Sequence, residues 1–443
     1  MKTKASMESY SHQNIASMFI ALGIVVFLSG LIINPWAGKL YRRSNMINYY
    51  DVMLSYFIWA IVSSILIFGT SLIFRSVRSK RIENITVLFM TCMLIALSDR
   101  LLLAKLGLPL WVADVENHYR HRPNTIRLWG SYYNNKLIRI NKYGHHDNDF
   151  PLKKGDNEFR GLIIGDSITM GHGVTYEETF SNQLENILRE KNGYRRSYQI
   201  INAGVQGYST FQEYNLLMES LVFKPDFIAI GFCMNDLTEP FVVDKRFGGV
   251  GSDYHGITQV SSLFVSYILN ETGYGRLMQK LQTRNKSVEM EGRFEAYSIK
   301  KVAQSSVDDP KFSENWKSVL FYLDKIYDTA RNQDTKIVLL IFPHTFQLMN
   351  DDLQEPQRIL INHAKSKNID VIDFTNVFEK LIFNEGIVKL PAENGFSSDE
   401  IHGLYQERIS TYFLDEDHYT VEGHRIVASQ LYTYLSSYYS FER

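Results

Sequence analysis

The chain has 443 residues, enough for two or three domains of about 150 residues each, and its soluble part alone can bury a substantial core. Lysines and arginines (47) nearly cancel aspartates and glutamates (48), so there is no overall basic field to hold a polyanion, and nucleic acid is excluded as an expected partner. There are only two cysteines, Cys92 in an apolar run and Cys233 at the end of an expected strand. With no CxxC or Cys/His cluster along the chain, neither a disulfide, structural zinc nor any other cofactor is expected.

The first quarter of the chain reads as membrane-embedded. Residues 15–33 form a run of 19 residues without a charge, and residues 52–74 a second of 23, each long enough to cross about 30 Å of hydrocarbon as a helix. Trp36, Tyr41, Tyr49 and Tyr50 fall near the expected interfaces. A third span over 84–104 is expected, with Asp99 and Arg100 at or near the interface. Lys2, Lys4, Arg75, Arg78, Lys80 and Arg81 outnumber Lys39, Arg42 and Arg43 in the opposite loop. Positive charge favours the cytoplasmic side, so three crossings deliver the rest of the chain outside. The expected location is therefore a multi-pass membrane protein with an extracytoplasmic domain, periplasmic or extracellular.

Residues 106–157 read as a polar connector with Pro109, Pro123 and Pro151. Its histidines, His118, His121, His145 and His146, are expected to be solvated loop residues, because their spacing fits no helix-borne metal pair. From residue 158 to 440 the pattern alternates. Expected strands cover 161–165, 198–202, 226–231, 336–342 and 370–373, each short, apolar and rich in β-branched residues. Expected helices cover 177–191, 210–222, 315–332, 354–367 and 421–438. Such alternation implies a parallel sheet covered on both faces, with the ligand beyond the C-terminal strand ends. Residues 237–313 are too many for a simple crossover; they read as an insertion forming a cap or partner surface.

The polar residues at those strand ends carry the chemistry. Gly165-Asp166-Ser167-Ile168-Thr169 follows the first strand and places a serine where backbone N–H groups converge. Asn202-Ala203-Gly204-Val205-Gln206-Gly207 follows the second, where glycine lets a backbone N–H approach a substrate. Asn235-Asp236 follows the third, and Asp415-Glu416-Asp417-His418 precedes the last helix. A histidine preceded at three residues by aspartate can take a serine proton while the carboxylate fixes its tautomer. Each signal alone has an ordinary structural reading as a cap or turn. Together they supply a nucleophile, a base with its orienter and oxyanion donors.

In order and residue type these blocks resemble the SGNH (GDSL-like) hydrolase superfamily. The resemblance implies a three-layer α/β/α, flavodoxin-like domain with a parallel sheet. Residue by residue it implies Ser167 as nucleophile and, through its N–H, an oxyanion donor. Gly207 would supply a second N–H, Asn235 a side-chain N–H, His418 the base and Asp415 its orienter. The third block departs from the pattern, because Gly231 lies four residues before Asn235. Asp417 also stands beside His418, and His424 reads as a packing residue at a helix start.

The function expected is an O-acyl ester hydrolase, with acetyl the leading acyl group, acting on an extracytoplasmic glycan or lipid-linked saccharide. Competing readings are an O-acyltransferase on envelope polysaccharide, a lipase or thioesterase, and a non-catalytic envelope scaffold. The lipid bilayer and an acylated glycan or lipid are the expected partners, with room for a membrane-bound acyltransferase.

Overall fold

The computed structural model describes residues 93–103 (except 95), 110–239 (except 115, 129–135 and 193–195), 272–274, 299–383 (except 349) and 398–439. The expected spans 15–33 and 52–74, most of 84–104, and most of the insertion expected at 237–313 lie outside these residues. Among the described residues no helix is long and apolar enough to cross a membrane. The chain divides into two compact units, residues 1–109 with 260–286, and residues 110–259 with 287–443. In the first, residues 93–94 and 96–103 are helical, and Asp99 accepts the Tyr274 N–H at 3.0 Å.

The second unit is built on five parallel strands: β5 (Glu158–Gly165), β6 (Ser197–Gly204), β7 (Phe227–Cys233), β8 (Lys336–Phe342) and β9 (Asp370–Asp373), in the order β6-β5-β7-β8-β9. The middle strands are apolar on both faces because both faces are covered. Leu162 and Ile164 of β5, Ile228 and Ile230 of β7 and Leu339 of β8 enter one core layer with Leu217, Trp316, Leu323 and Leu360. Those partners come from helices α3 (Thr210–Ser220), α4 (Ser313–Asn332) and α5 (Glu355–Ser366). The intervening residues Ile163, Ala229, Val338 and Leu340 face the opposite layer. There they meet α2 (Phe180–Asn192), α6 (Phe374–Phe383), the end of α7 (Ser398–Tyr412) and α8 (Val421–Tyr438) through Leu184, Phe378, Ile409 and Leu431. This is the expected three-layer α/β/α arrangement.

Strand β5 begins three residues earlier than the apolar run suggests. The polar start is absorbed because Arg160, fully buried, pairs with Glu158 at 2.7 Å and donates to the carbonyls of Pro151, Leu152 and Phe223. A buried guanidinium is tolerable when its donors are satisfied in this way.

The stretch expected to be a polar connector carries four short strands. β1 (Trp111–Asp114) pairs antiparallel with β2 (His118–His121), and β3 (Thr125–Leu128) with β4 (Leu137–Ile140). The expectation of solvated histidines fails here: His121, His145 and His146 are buried. His146 Nδ1 lies 2.8 Å from the Met170 carbonyl, and burial pushes the His146 ring down to about 4, so it is neutral and donates. Asn141, also buried, ties the following loop: its Oδ1 accepts from the N–H groups of Tyr143 and His145, and its Nδ2 donates to the Asn148 carbonyl. A chain that satisfies its backbone through side chains needs no long apolar run to be ordered.

Candidate active site

Three glycines prepare the sheet edge. Gly204, Gly165 and Gly231 stand at one register on the adjacent strands β6, β5 and β7. Immediately above them runs the single turn α1 (Ser167–Met170). A Cβ at Gly165 or Gly231 would lie 2.2 Å from Thr169 Oγ1, and one at Gly204 would lie 2.2 Å from the Met170 nitrogen. The glycine layer thus lets the turn that bears Ser167 sit directly on the strand ends. Asp166 caps that turn, its Oδ1 accepting the Ile168 N–H at 2.9 Å.

Ser167 Oγ lies 2.9 Å from His418 Nε2. On the other side of the ring, His418 Nδ1 lies 2.9 and 3.0 Å from the two oxygens of Asp415. In the neutral form of the ring this network sets the tautomer: Nδ1–H donates to the carboxylate and Nε2 accepts from the serine hydroxyl. Asp415 also accepts the His418 and Asp417 backbone N–H groups, so the turn before α8 holds acid and imidazole in register. The neighbouring Asp417 approaches the same Nδ1 at 3.2 Å.

The charge balance follows from this crowding. Burial alone would lower the His418 pKa, but the Asp417 charge and the Asp415 hydrogen bond and charge outweigh it and raise it to about 9. Burial raises Asp417 to about 7, although the imidazolium pulls the other way. Asp415 is held well below the carboxylate range: burial opposes this, and the hydrogen bonds and charge of His418 prevail.

Asn235 sits on a 3₁₀ turn (Met234–Leu237) after β7. The four-residue gap from Gly231 has a plain cause: β7 runs on to Cys233, past the glycine layer, before it turns. Asp236 shapes the turn by accepting the Cys233 N–H at 3.2 Å. The Asn235 amide then donates to Asp166 at 3.0 Å and to Glu239 at 3.4 Å, the former contact tying it to the turn that bears Ser167. Gly207, at φ +68°, follows β6.

Ser167, Gly207, Asn235 and His418 all line one open cavity of about 510 Å³, and Asp415 lies directly behind His418. Other lining residues escape sequence reasoning: His172, Gln206, Glu239, Ile299, His344 and Glu416. His172 packs against the His418 ring at 4.4 Å between centroids and is hydrogen-bonded to the Gln206 amide. Burial first, then the nearby His418 charge, lowers His172 to about 3, so it is a neutral neighbour of the base. The Gly171-His172-Gly173 stretch offered one signal, a histidine between glycines just after the serine turn. His424, as expected, is a packing residue, stacked on Phe180.

For a metal ion, the tertiary fold brings together Cys233, His344 and Asp417, and separately Asp415, Asp417 and His418. Cys233 Sγ and His344 Nε2 are 3.5 Å apart. Burial drives the Cys233 thiol well above its ordinary pKa and His344 down to about 3, so the pair rests as thiol and neutral imidazole.

Residues 163–426 match the GDSL-like Lipase/Acylhydrolase family. No curated protein matches the chain. Among solved structures, it is similar to an acetyl xylan esterase at 16% identity, covering 62% of this chain and 100% of that one, with a TM-score of 0.35. A member of the lipolytic protein G-D-S-L family from Veillonella parvula DSM 2008 is similar at 14% identity, with coverage of 63% and 98% and a TM-score of 0.31. An acetylxylan esterase from Geobacillus stearothermophilus, in a catalytic mutant form, is similar at 13% identity, with coverage of 64% and 96% and a TM-score of 0.34. The structural likenesses are loose. The family match spans more than half of the chain and takes in every described residue that lines the Ser167 cavity, so the chain belongs to the GDSL-like lipase/acylhydrolase family and is a serine hydrolase of the SGNH type.

Proposed function

We propose that this protein is a membrane-anchored serine esterase that removes an O-linked acyl group, specifically acetyl, from an extracytoplasmic glycan or lipid-linked saccharide. The observation that carries the reading is the unbroken chain of contacts from Ser167 Oγ through His418 to Asp415. His418 Nε2 takes the serine proton as Oγ attacks the ester carbonyl, and Asp415 stabilises the imidazolium that forms. The oxyanion is received by the Ser167 and Gly207 N–H groups and the Asn235 amide. The imidazolium then returns its proton to the leaving sugar hydroxyl, and water activated by the same base releases acetate from Ser167.

The cavity wall supports a small acyl group on a polar carrier. Ile299 is the one aliphatic side chain among its described lining residues, the rest being polar, charged or glycine. A long acyl chain needs an apolar channel, which favours the saccharide ester over a lipid ester. Anchoring and the outside location rest on the two long uncharged runs and the distribution of lysine and arginine. An acyltransferase is the second reading, favoured by one observation. Glu239 and Ile299, both within the 237–313 insertion, line the cavity, so described parts of that insertion contribute to the site.

A fluorophosphonate probe tests the nucleophile: it labels the wild-type protein and leaves Ser167→Ala unlabelled, and labelling of that variant at another serine overturns the assignment. A chromogenic acetyl ester, offered with and without an oligosaccharide acceptor, separates the two outcomes. Undiminished acetate release supports hydrolysis, and accumulation of acetylated sugar at its expense supports transfer. Reporter fusions after Lys80 and Asn117 should read cytoplasmic and extracytoplasmic; a cytoplasmic signal at both overturns the location.

A further inference from the structure

The Gln206–Gly207 peptide unit has two ends. Its N–H belongs to Gly207, a donor in the reading proposed above, on which this inference rests. Its carbonyl belongs to Gln206 and accepts a hydrogen bond of 2.6 Å from the Tyr119 hydroxyl. In a trans peptide the two groups point in opposite directions, so a donor that holds the carbonyl also sets the direction of the N–H. We infer that Tyr119, from the β1–β2 hairpin, is a positioning residue that locks the Gln206–Gly207 peptide with its N–H turned toward the oxyanion.

Gly207 is the place where such a lock is needed. Its φ of +68° lies where glycine alone moves freely, and the peptide before it can rotate at small cost. A rotated unit would present the Gln206 carbonyl to the developing negative charge and oppose it. The approach is also close: a Cβ on Gly207 would stand 2.8 Å from Tyr119 Oη, so the glycine admits the hydroxyl. Donation to the carbonyl polarises the peptide as well, strengthening its N–H as a donor.

The hairpin is fastened for this task. Tyr208, one residue beyond Gly207, donates its hydroxyl to the Tyr119 carbonyl at 2.6 Å, and the two rings meet edge to face at 5.4 Å. Gln212 on α3 donates to the Asn117 carbonyl at 2.7 Å. Arg120 binds Glu219 with two hydrogen bonds. The Tyr119 hydroxyl thus holds the loop while the Tyr208 hydroxyl holds the hairpin, and the loop bearing Gly207 is gripped by a segment that precedes the family-matched residues.

The test is Tyr119→Phe in the full chain, which keeps the ring and removes only the hydroxyl. With a chromogenic acetyl ester, kcat should fall by about 3- to 10-fold, the scale of one net hydrogen bond and well short of losing an oxyanion donor. KM should not change, because the interaction matters only once the oxyanion forms. Combined with Asn235→Ala, the loss should be less than the product of the two single losses, since both act on one oxyanion. Arg120→Ala is the control for loosening of the hairpin, and it should lower the thermal midpoint without that selective loss in kcat. Full kcat in Tyr119→Phe while Ser167→Ala is inactive overturns this inference and leaves the serine mechanism standing. An effect confined to KM, or an equal kcat loss in Arg120→Ala, overturns it too. Activity in Ser167→Ala instead overturns the underlying reading.

Discussion

The parallel-sheet core and the pair of hairpins before it are ordered by different means. In the core, β5, β7 and β8 bury both faces, and the fold is held by side chains such as Leu162, Ile230, Trp316 and Leu340. In the hairpins the strands are four residues long and largely half-buried, and much of the holding is done by single polar groups: Asn141, His146, Tyr119 and Tyr208. Yet both regions bear on the same cavity, the core by lining it and the β1–β2 hairpin by holding the Gln206–Gly207 loop that lines it. The core supplies the reacting groups, and the hairpins grip the loop beside them. Apolar periodicity therefore marks where stability comes from, and it can miss where a site is held in shape.

The largest effects should fall in the core. Ser167→Ala and His418→Ala should each reduce turnover by about 10⁴-fold or more, and the double variant should be no worse than either, because the two act as one unit. Additive losses, measured with a chromogenic acetyl ester, would show that they act separately. Asn235→Ala should cost about 10²–10³ in kcat, as loss of one oxyanion donor does. A smaller loss would transfer that role to the backbone donors.

Stability sharpens the contrast between the regions. Trp316→Ala, in the centre of the core, should cost about 3–5 kcal/mol in denaturant unfolding. Asn141→Ala should cost about 1–3 kcal/mol, since it orphans the backbone groups that its side chain satisfies. Equal costs would break the distinction and make the hairpins part of one cooperative core.

The smallest effect is a shift in pH. His418 titrates near 9 in the folded protein against 6.5 for the free group. Its ion pair therefore supports the fold fully below about 6.5 and is lost as pH rises through about 9. Activity runs the other way, because the base must be neutral: kcat/KM should climb with pH toward that value. Asp417→Asn removes the largest influence that raises the imidazole and should move the climb toward 6.5. An unmoved profile would assign the shift to Asp415 and Asp166.

Within the core, much was legible before any coordinates. β8 and β9 carry the expected boundaries, α8 runs over 421–438 as its periodicity predicts, and Ser167, Gly207, Asn235 and His418 do line one cavity. Periods of two and 3.6 residues and short strand-end motifs are local signals, and a parallel sheet gathers its strand ends at one edge. The start of β5 was missed because a buried Arg160 looks solvated until Glu158 and three carbonyls are found around it.

The sequence by itself determined the layered fold, the five strands of the parallel sheet with five of the helices that cover it, and the residue types available for acyl chemistry. Those follow from local pattern and from the rule that an apolar face must be covered. Only the tertiary structure decided which polar side chains meet. It set His172 against His418, Cys233 beside His344, and Tyr119 on the carbonyl of Gln206, 87 residues away along the chain. A hydrogen bond depends on direction within a few tenths of an ångström, and no periodicity in a sequence carries that information across so long a separation.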